Sequence, residues 1–114
     1  MSTQMFDSQL RSSADLAGVF ESDGEVAYFY LYSTVQQEKH KVLGAIRVLS
    51  GVPDFEENDI AVSWDKAESK VGLRICGQLW AVFDTDTGAA YGGDYRAGGK
   101  ADIPPEIATH FRII

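Results

Sequence analysis

The 114-residue sequence predicts a mainly β fold with a minor α part: a curved antiparallel sheet of hairpins, at its limit a half-barrel, covered by a short C-terminal helix. Three observations predict it. Asp23-Gly24 lies between two apolar runs, and Asp-Gly favours a two-residue hairpin loop because a type I′ turn needs positive φ at both central residues. Residues 69–76 alternate cleanly, Val71, Leu73 and Ile75 against Lys70 and Arg74, as a strand with one buried face does. Gly77-Gln78 then supplies glycine at the first central position of a type II′ turn.

Residues 1–15 (MSTQMFDSQLRSSAD) read as a flexible N-terminal segment, which leaves 16–114 as a single β-rich domain. In residues 17–32, an Asp23-Gly24 loop pairs Phe20 with Ala27 and Gly18 with Phe29. One face then carries Leu16, Phe20, Ala27, Phe29 and Leu31; the other carries Val19, Glu21, Val26, Tyr28, Tyr30 and Tyr32. The first face is the better core. Residues 33–51 admit two readings. Thr34 with Gln37 can form a capping box ahead of a helix striped by Val42, Leu43, Ile46 and Leu49. The Val and Ile content instead favours a loop to Lys41 and then a strand with Val42, Gly44, Ile46 and Val48 on one face.

An acidic loop follows at 53–59, then a strand at Ile60–Trp64 and a charged turn at 65–68. The Gly77-Gln78 register sets Ile75 opposite Trp80 and Leu73 opposite Val82, giving a second apolar face. Asp84 to Gly88 form the next turn, leading into residues 89–92. The Gly-rich run 92–100 is a loop. Pro104-Pro105 opens a short helix with the stripe Ile107, Phe111 and Ile114, which must dock on the sheet to persist.

Composition sets the class. A chain with 45% hydrophobic and 24% charged residues can build a core and is unlike a disordered one. Its formal charge of −7 repels phosphate, so nucleic acid is not an expected partner. The single cysteine, Cys76, allows no intrachain disulfide, and no segment approaches a membrane span. The expected location is the cytoplasm, with no membrane partner and no cofactor.

No motif specifies catalysis or a metal. Asp84-x-Asp86-x-Gly88 resembles part of a calcium loop but lacks the third ligand and the bidentate Glu, so it reads as a turn. The Gly99-Lys100 pair falls short of a P-loop: Asp94 stands where the first Gly belongs, and Ala101 replaces the Ser or Thr. Cys76 with His40 or His110, activated by Arg74, carries no nucleophile signature; a small filler residue is the simpler reading. Lys39-His40-Lys41 and the acidic Asp54, Glu56, Glu57 and Asp59 read as solvated loops.

VFESDGEVAYFYLY (residues 19–32), VLGAIRVLSGV (42–52), IAVSW (60–64) and ICGQLWAVFD (75–84) resemble, in the same order, segments of a family of uncharacterised bacterial proteins with a domain of unknown function. Ala27 stands where members often have Gly, and Gly44 where they often have Asp. The resemblance implies a small bacterial cytoplasmic protein and brings no activity. The favoured reading is a non-enzymatic protein-binding or regulatory module, by analogy with small acidic bacterial proteins that bind one partner. Its rivals are a small enzyme or ligand-binding domain with a pocket in the curved sheet, and a homodimer joined by sheet edges or a shared face. The candidate binding residues are Tyr28, Tyr30 and Tyr32, since tyrosine suits wet interfaces. The competing expectation has the C-terminal helix cover this stripe, Ile107 and Phe111 packing on the rings.

Overall fold

The computed structural model describes residues 4–36 and 41–111. These form two successive meanders. The first is a four-stranded antiparallel sheet of β1 (Met5–Leu10), β2 (Leu16–Ser22), β3 (Val26–Ser33) and β4 (Val42–Ser50), paired in that order. The second pairs β5 (Ile60–Trp64), β6 (Lys70–Ile75), β7 (Gln78–Asp84) and β8 (Ala90–Gly92). A short helix, α1 (Pro105–Ala108), runs into a 3-10 turn at Thr109–Phe111. The strand-rich antiparallel class and the short C-terminal helix are as predicted. The hairpins divide into two open sheets that face each other, because the linker between β4 and β5 leaves the ladder. Its Phe55 drops into the core against Phe20 and Tyr95, with ring centroids 6.4 and 5.0 Å away.

The β2–β3 turn lies one residue later than the Asp-Gly pattern predicts. Ser22 faces Ala27, Phe20 faces Phe29 and Gly18 faces Leu31. Asp23 explains the move: its carboxylate accepts the amides of Glu25 (2.8 Å) and Val26 (2.9 Å), so the reversal falls on Gly24, at φ 91°. Each pairing shifts by two residues. Strand parity is kept, and both predicted faces survive.

Residues 1–15, expected as a flexible segment, contain β1. Met5 enters the core, but the next residue on its side, Asp7, is polar, which hid the strand from the alternation test. Asp7 accepts the Val62 amide (3.0 Å), and the Gln9 carbonyl accepts the Trp64 indole N–H (2.9 Å), so β1 is fastened to β5 as well as to β2. Arg11 forks onto Asp15 at 2.7 and 2.8 Å and holds that carboxyl well below the usual carboxylate range, with Ser13 assisting. The stretch with two readings is a strand from Val42 onward; Gln37, the other half of the capping box, lies outside the described residues.

The β6–β7 hairpin departs from expectation. Its turn is Cys76-Gly77, both at positive φ (52° and 81°), the type I′ pattern. Ile75 faces Gln78 and Arg74 faces Leu79, but Leu73 then faces Ala81 and Gly72 faces Val82. Trp80 is therefore the extra residue of a β-bulge. Trp80 and Ala81 both enter the core, and Val82 turns to the side away from Leu73. The expected Leu73–Val82 face does not form; the second sheet instead gains an apolar outer side.

The core lies between the sheets, with Phe20, Phe29, Ile46 and Val48 from the first meeting Val71, Leu73, Ile75 and Phe83 from the second. The C-terminal helix covers the outer side of the second sheet, where Ile107 and Phe111 pack with Val82, Leu79, Tyr91 and Ile103. Gly72 makes room for it, since a Cβ there would lie 2.8 Å from Leu79 and 2.9 Å from Phe111. Arg74 donates to the Phe111 carbonyl, and His110 Nδ1 sits 3.3 Å from the Asp65 carboxylate. The helix thus lies away from the tyrosines, which overturns the expectation that Ile107 and Phe111 cover them. Ile114 lies outside the described residues.

Both lateral edges of the sandwich are tied. On one side Glu57 accepts the Phe6 amide (3.1 Å), beside the Asp7–Val62 bond. On the other, the chain after β8 lays its Asp94 and Tyr95 amides on the Arg47 and Val48 carbonyls of β4, at 3.2 and 2.6 Å. Gly93 (φ 97°) permits this approach, because a Cβ would lie 2.8 Å from the Arg47 carbonyl oxygen.

Candidate functional site

The outer side of the first sheet is built by register. Glu21, Tyr28 and Arg47 form one row across β2, β3 and β4, with Phe6 of β1 beside Glu21. Val19, Tyr30 and Ala45 form the next row, and Ala17, Tyr32 and Val42 the third, with Leu10 beside Ala17. Strict alternation along β3 puts all three tyrosines here, each half-buried. Tyr28 and Tyr30 stack with centroids 5.7 Å apart, and the Lys41 ammonium lies 5.8 Å from the Tyr32 ring centre. A bulge between Leu31 and Tyr32 leaves Leu43 without a partner across the ladder. Phe6 (54% exposed), Leu10 (51%) and Val42 (53%) stand open to solvent around the tyrosines.

Phe6, Val19, Glu21, Tyr30, Tyr32 and Val42 line a groove of about 430 Å³. Its walls are apolar and aromatic, with Glu21 the one ionisable carboxylate among them. The Tyr30 phenol is pushed up by desolvation first, then by the charge of Glu21 and by Tyr28, so it stays neutral at physiological pH. The sequence pattern places Tyr28, Tyr30, Tyr32, Val19 and Glu21 together, and the structure keeps them together. It does not reveal Phe6, Val42 or Arg47, because their membership depends on β1 and on the β3–β4 register.

The remaining candidates are absorbed by the fold. Asp84 is buried, 3.8 Å from Lys70 Nζ, and accepts the Asp86 amide within a tight turn. Asp54 accepts the Tyr95 hydroxyl (2.8 Å); burial and that bond push the Tyr95 phenol up to about 12. Asp59 accepts the Glu56 amide at the start of the 3-10 turn Glu57–Asp59. Asp94, Arg96, Lys100 and Asp102 line a polar hollow of about 410 Å³, but Arg96 folds back onto the Asp94 and Lys100 carbonyls.

Cys76 is an exposed turn residue, which corrects its reading as a packed filler: the left-handed backbone of the turn directs it outward. Desolvation, Asp59 and Asp54 push its thiol up, away from reactivity. Arg74, the candidate activator, instead bonds Ser63 and the Phe111 carbonyl. His110 belongs to the helix anchor, where Asp65 also accepts the Ser69 and Lys70 amides (2.9 and 3.0 Å). His40 and Lys39 lie outside the described residues. Among the described residues no three metal-ligating side chains gather.

Among the described residues no helix is long and apolar enough to cross a membrane. No curated protein and no solved structure matches the chain significantly. A family model does, over residues 2–97, from just ahead of β1 to the loop beyond β8, short of the helix. The chain therefore belongs to the family described as uncharacterized protein conserved in bacteria, DUF2251.

Proposed function

We propose that the chain is a non-enzymatic protein-binding module of the bacterial cytoplasm, and that it binds through the outer side of the β1–β4 sheet. One observation carries the reading. The helix shields the outer apolar side of one sheet and leaves the other, with its three tyrosines, Phe6, Leu10 and Val42, open to water. A contiguous aromatic and aliphatic patch with a few charges at its margin is what protein interfaces bury. Tyrosine supplies contact area at small entropic cost, with a hydroxyl for the wet rim. The polar convergence that marks catalytic pockets is missing from the groove, whose lining is apolar apart from Glu21 and the phenol hydroxyls. An exposed free thiol suits a reducing compartment.

The test is Tyr30→Ala. A binding face predicts a melting temperature close to that of the parent and loss of association, followed by sedimentation of the purified chain and by retention of partners from native extract. A large fall in melting temperature with association unchanged would make the stripe part of the core and overturn the reading.

A further inference from the structure

Resting on the reading of this side as a binding face, we propose that its occupant is a second copy of the same chain, packed face to face about a two-fold axis running along β3. The argument begins with register. Glu21 and Arg47 lie at the same height on opposite sides of β3, with Tyr28 between them. An axis parallel to β3 keeps each row at its height and exchanges its two sides. Glu21 of either copy then stands over Arg47 of the other, twice, since contacts across a two-fold axis come in reciprocal pairs. The same operation sets Val19 over Ala45 and Ala17 over Val42, a larger side chain against a smaller one each time. Tyr28, Tyr30 and Tyr32 meet along the axis itself. The face is complementary to itself in charge and, on the two strands beside the axis, in relief.

Net charge opposes self-association everywhere except where opposite charges are brought together, and the edges favour the face over strand addition. Two copies carrying −7 each repel one another over most of their surface. Opposed Glu21–Arg47 rows offset that repulsion where the apolar area lies. Pairing by strand addition, the other common route to a β dimer, meets edges that are already tied at several points. The Phe6 amide is held by Glu57 and the Val62 amide by Asp7, while the Arg47 and Val48 carbonyls are taken by Asp94 and Tyr95.

The experiment is a charge exchange in the full chain, read by sedimentation across a concentration series. Glu21→Arg and Arg47→Glu, alone, each bring like charges together in their own homodimer and weaken self-association by roughly tenfold or more. Mixed with one another they form a heterodimer in which every pair is again opposite, and the double exchange in one chain restores the homodimer. Both sites are exposed, so melting temperatures should hold. Parent association with loss in each single variant and recovery on mixing supports the proposal. A dimer indifferent to these exchanges, or a parent monomeric at all concentrations, overturns it. In the monomeric case a partner whose capture depends on Tyr30 preserves the binding face with a different occupant, and absence of any such partner removes both readings.

Discussion

The two outer sides of the sandwich begin alike and end differently. Each is a half-apolar surface of a four-stranded antiparallel sheet, centred on an aromatic and aliphatic cluster: Leu79, Val82 and Tyr91 on the second sheet, Val19, Tyr30 and Tyr32 on the first. The second is covered within the chain by Ile103, Ile107 and Phe111, and Val82 is fully buried beneath them. The first has no such cover among the described residues, and its tyrosines remain half-buried. A face covered in cis contributes to stability. A face left open contributes when something binds it. The same substitution on the two sides should therefore separate folding from association.

The largest expected effect is on the covered side. Phe111→Ala strips the ring from Val82 and Leu79 and should cost about 3 kcal/mol, as aromatic truncations in packed sites do, measured by urea denaturation. Were the loss below about 1 kcal/mol, the helix would not be a working cover and the contrast would fail.

A second test compares tyrosines. Tyr95 is wedged between the sheets, against Phe55 and Trp80, and bonds Asp54. Its phenol, raised to about 12 when folded, has an ordinary value near 10 when unfolded. The unfolded chain therefore releases this proton first. Stability from the Tyr95 site is complete below about pH 10 and is lost as pH climbs toward 12. The urea midpoint should fall across that window, and Tyr95→Phe should flatten part of the fall. Tyr30→Phe on the open side should leave most of the slope in place.

Tyr30→Ala comes next, with a stability loss of about 1 kcal/mol for a half-buried side chain with no cover above it among the described residues, checked by the same denaturation. Its main effect belongs to association. The smallest change lies on neither face. Cys76→Asn gives the β6–β7 turn the Asn-Gly pair suited to two residues at positive φ, and should raise stability by up to about 1 kcal/mol with association untouched.

How much of this could be read from the residues depends on parity. Asp23-Gly24 marks a hairpin, and although Asp23 pulls the turn forward by one residue, the two-residue change in pairing leaves the tyrosines and Phe29 on their assigned sides. At Trp80 one extra residue reverses the sides instead. Alternation in LWAVF cannot announce this, because Trp, Ala, Val and Phe are all apolar; the outer apolar side under the helix is invisible for that reason. β1 escapes for a different one. Only Met5 is packed in the core; the Asp7 side chain and the Gln9 carbonyl are bonded to β5 instead, so the segment shows no run of buried apolar alternation. Without β1, Phe6 cannot be assigned to the tyrosine face.

The order of the strands has a consequence for synthesis. Among the described residues every ladder joins neighbours in the chain, with no crossover, so each sheet can close hairpin by hairpin as it emerges. The first meander is complete at Ser50, so all of it leaves the ribosome before any of the second does. For that interval it is an amphipathic sheet with Phe20 and Phe29 uncovered on one side and the tyrosines on the other. Docking of the second meander removes the first exposure and leaves the second. The ribosome-bound chain thus passes through a state with two sticky sides, and the rate at which residues 60–84 arrive sets how long it lasts.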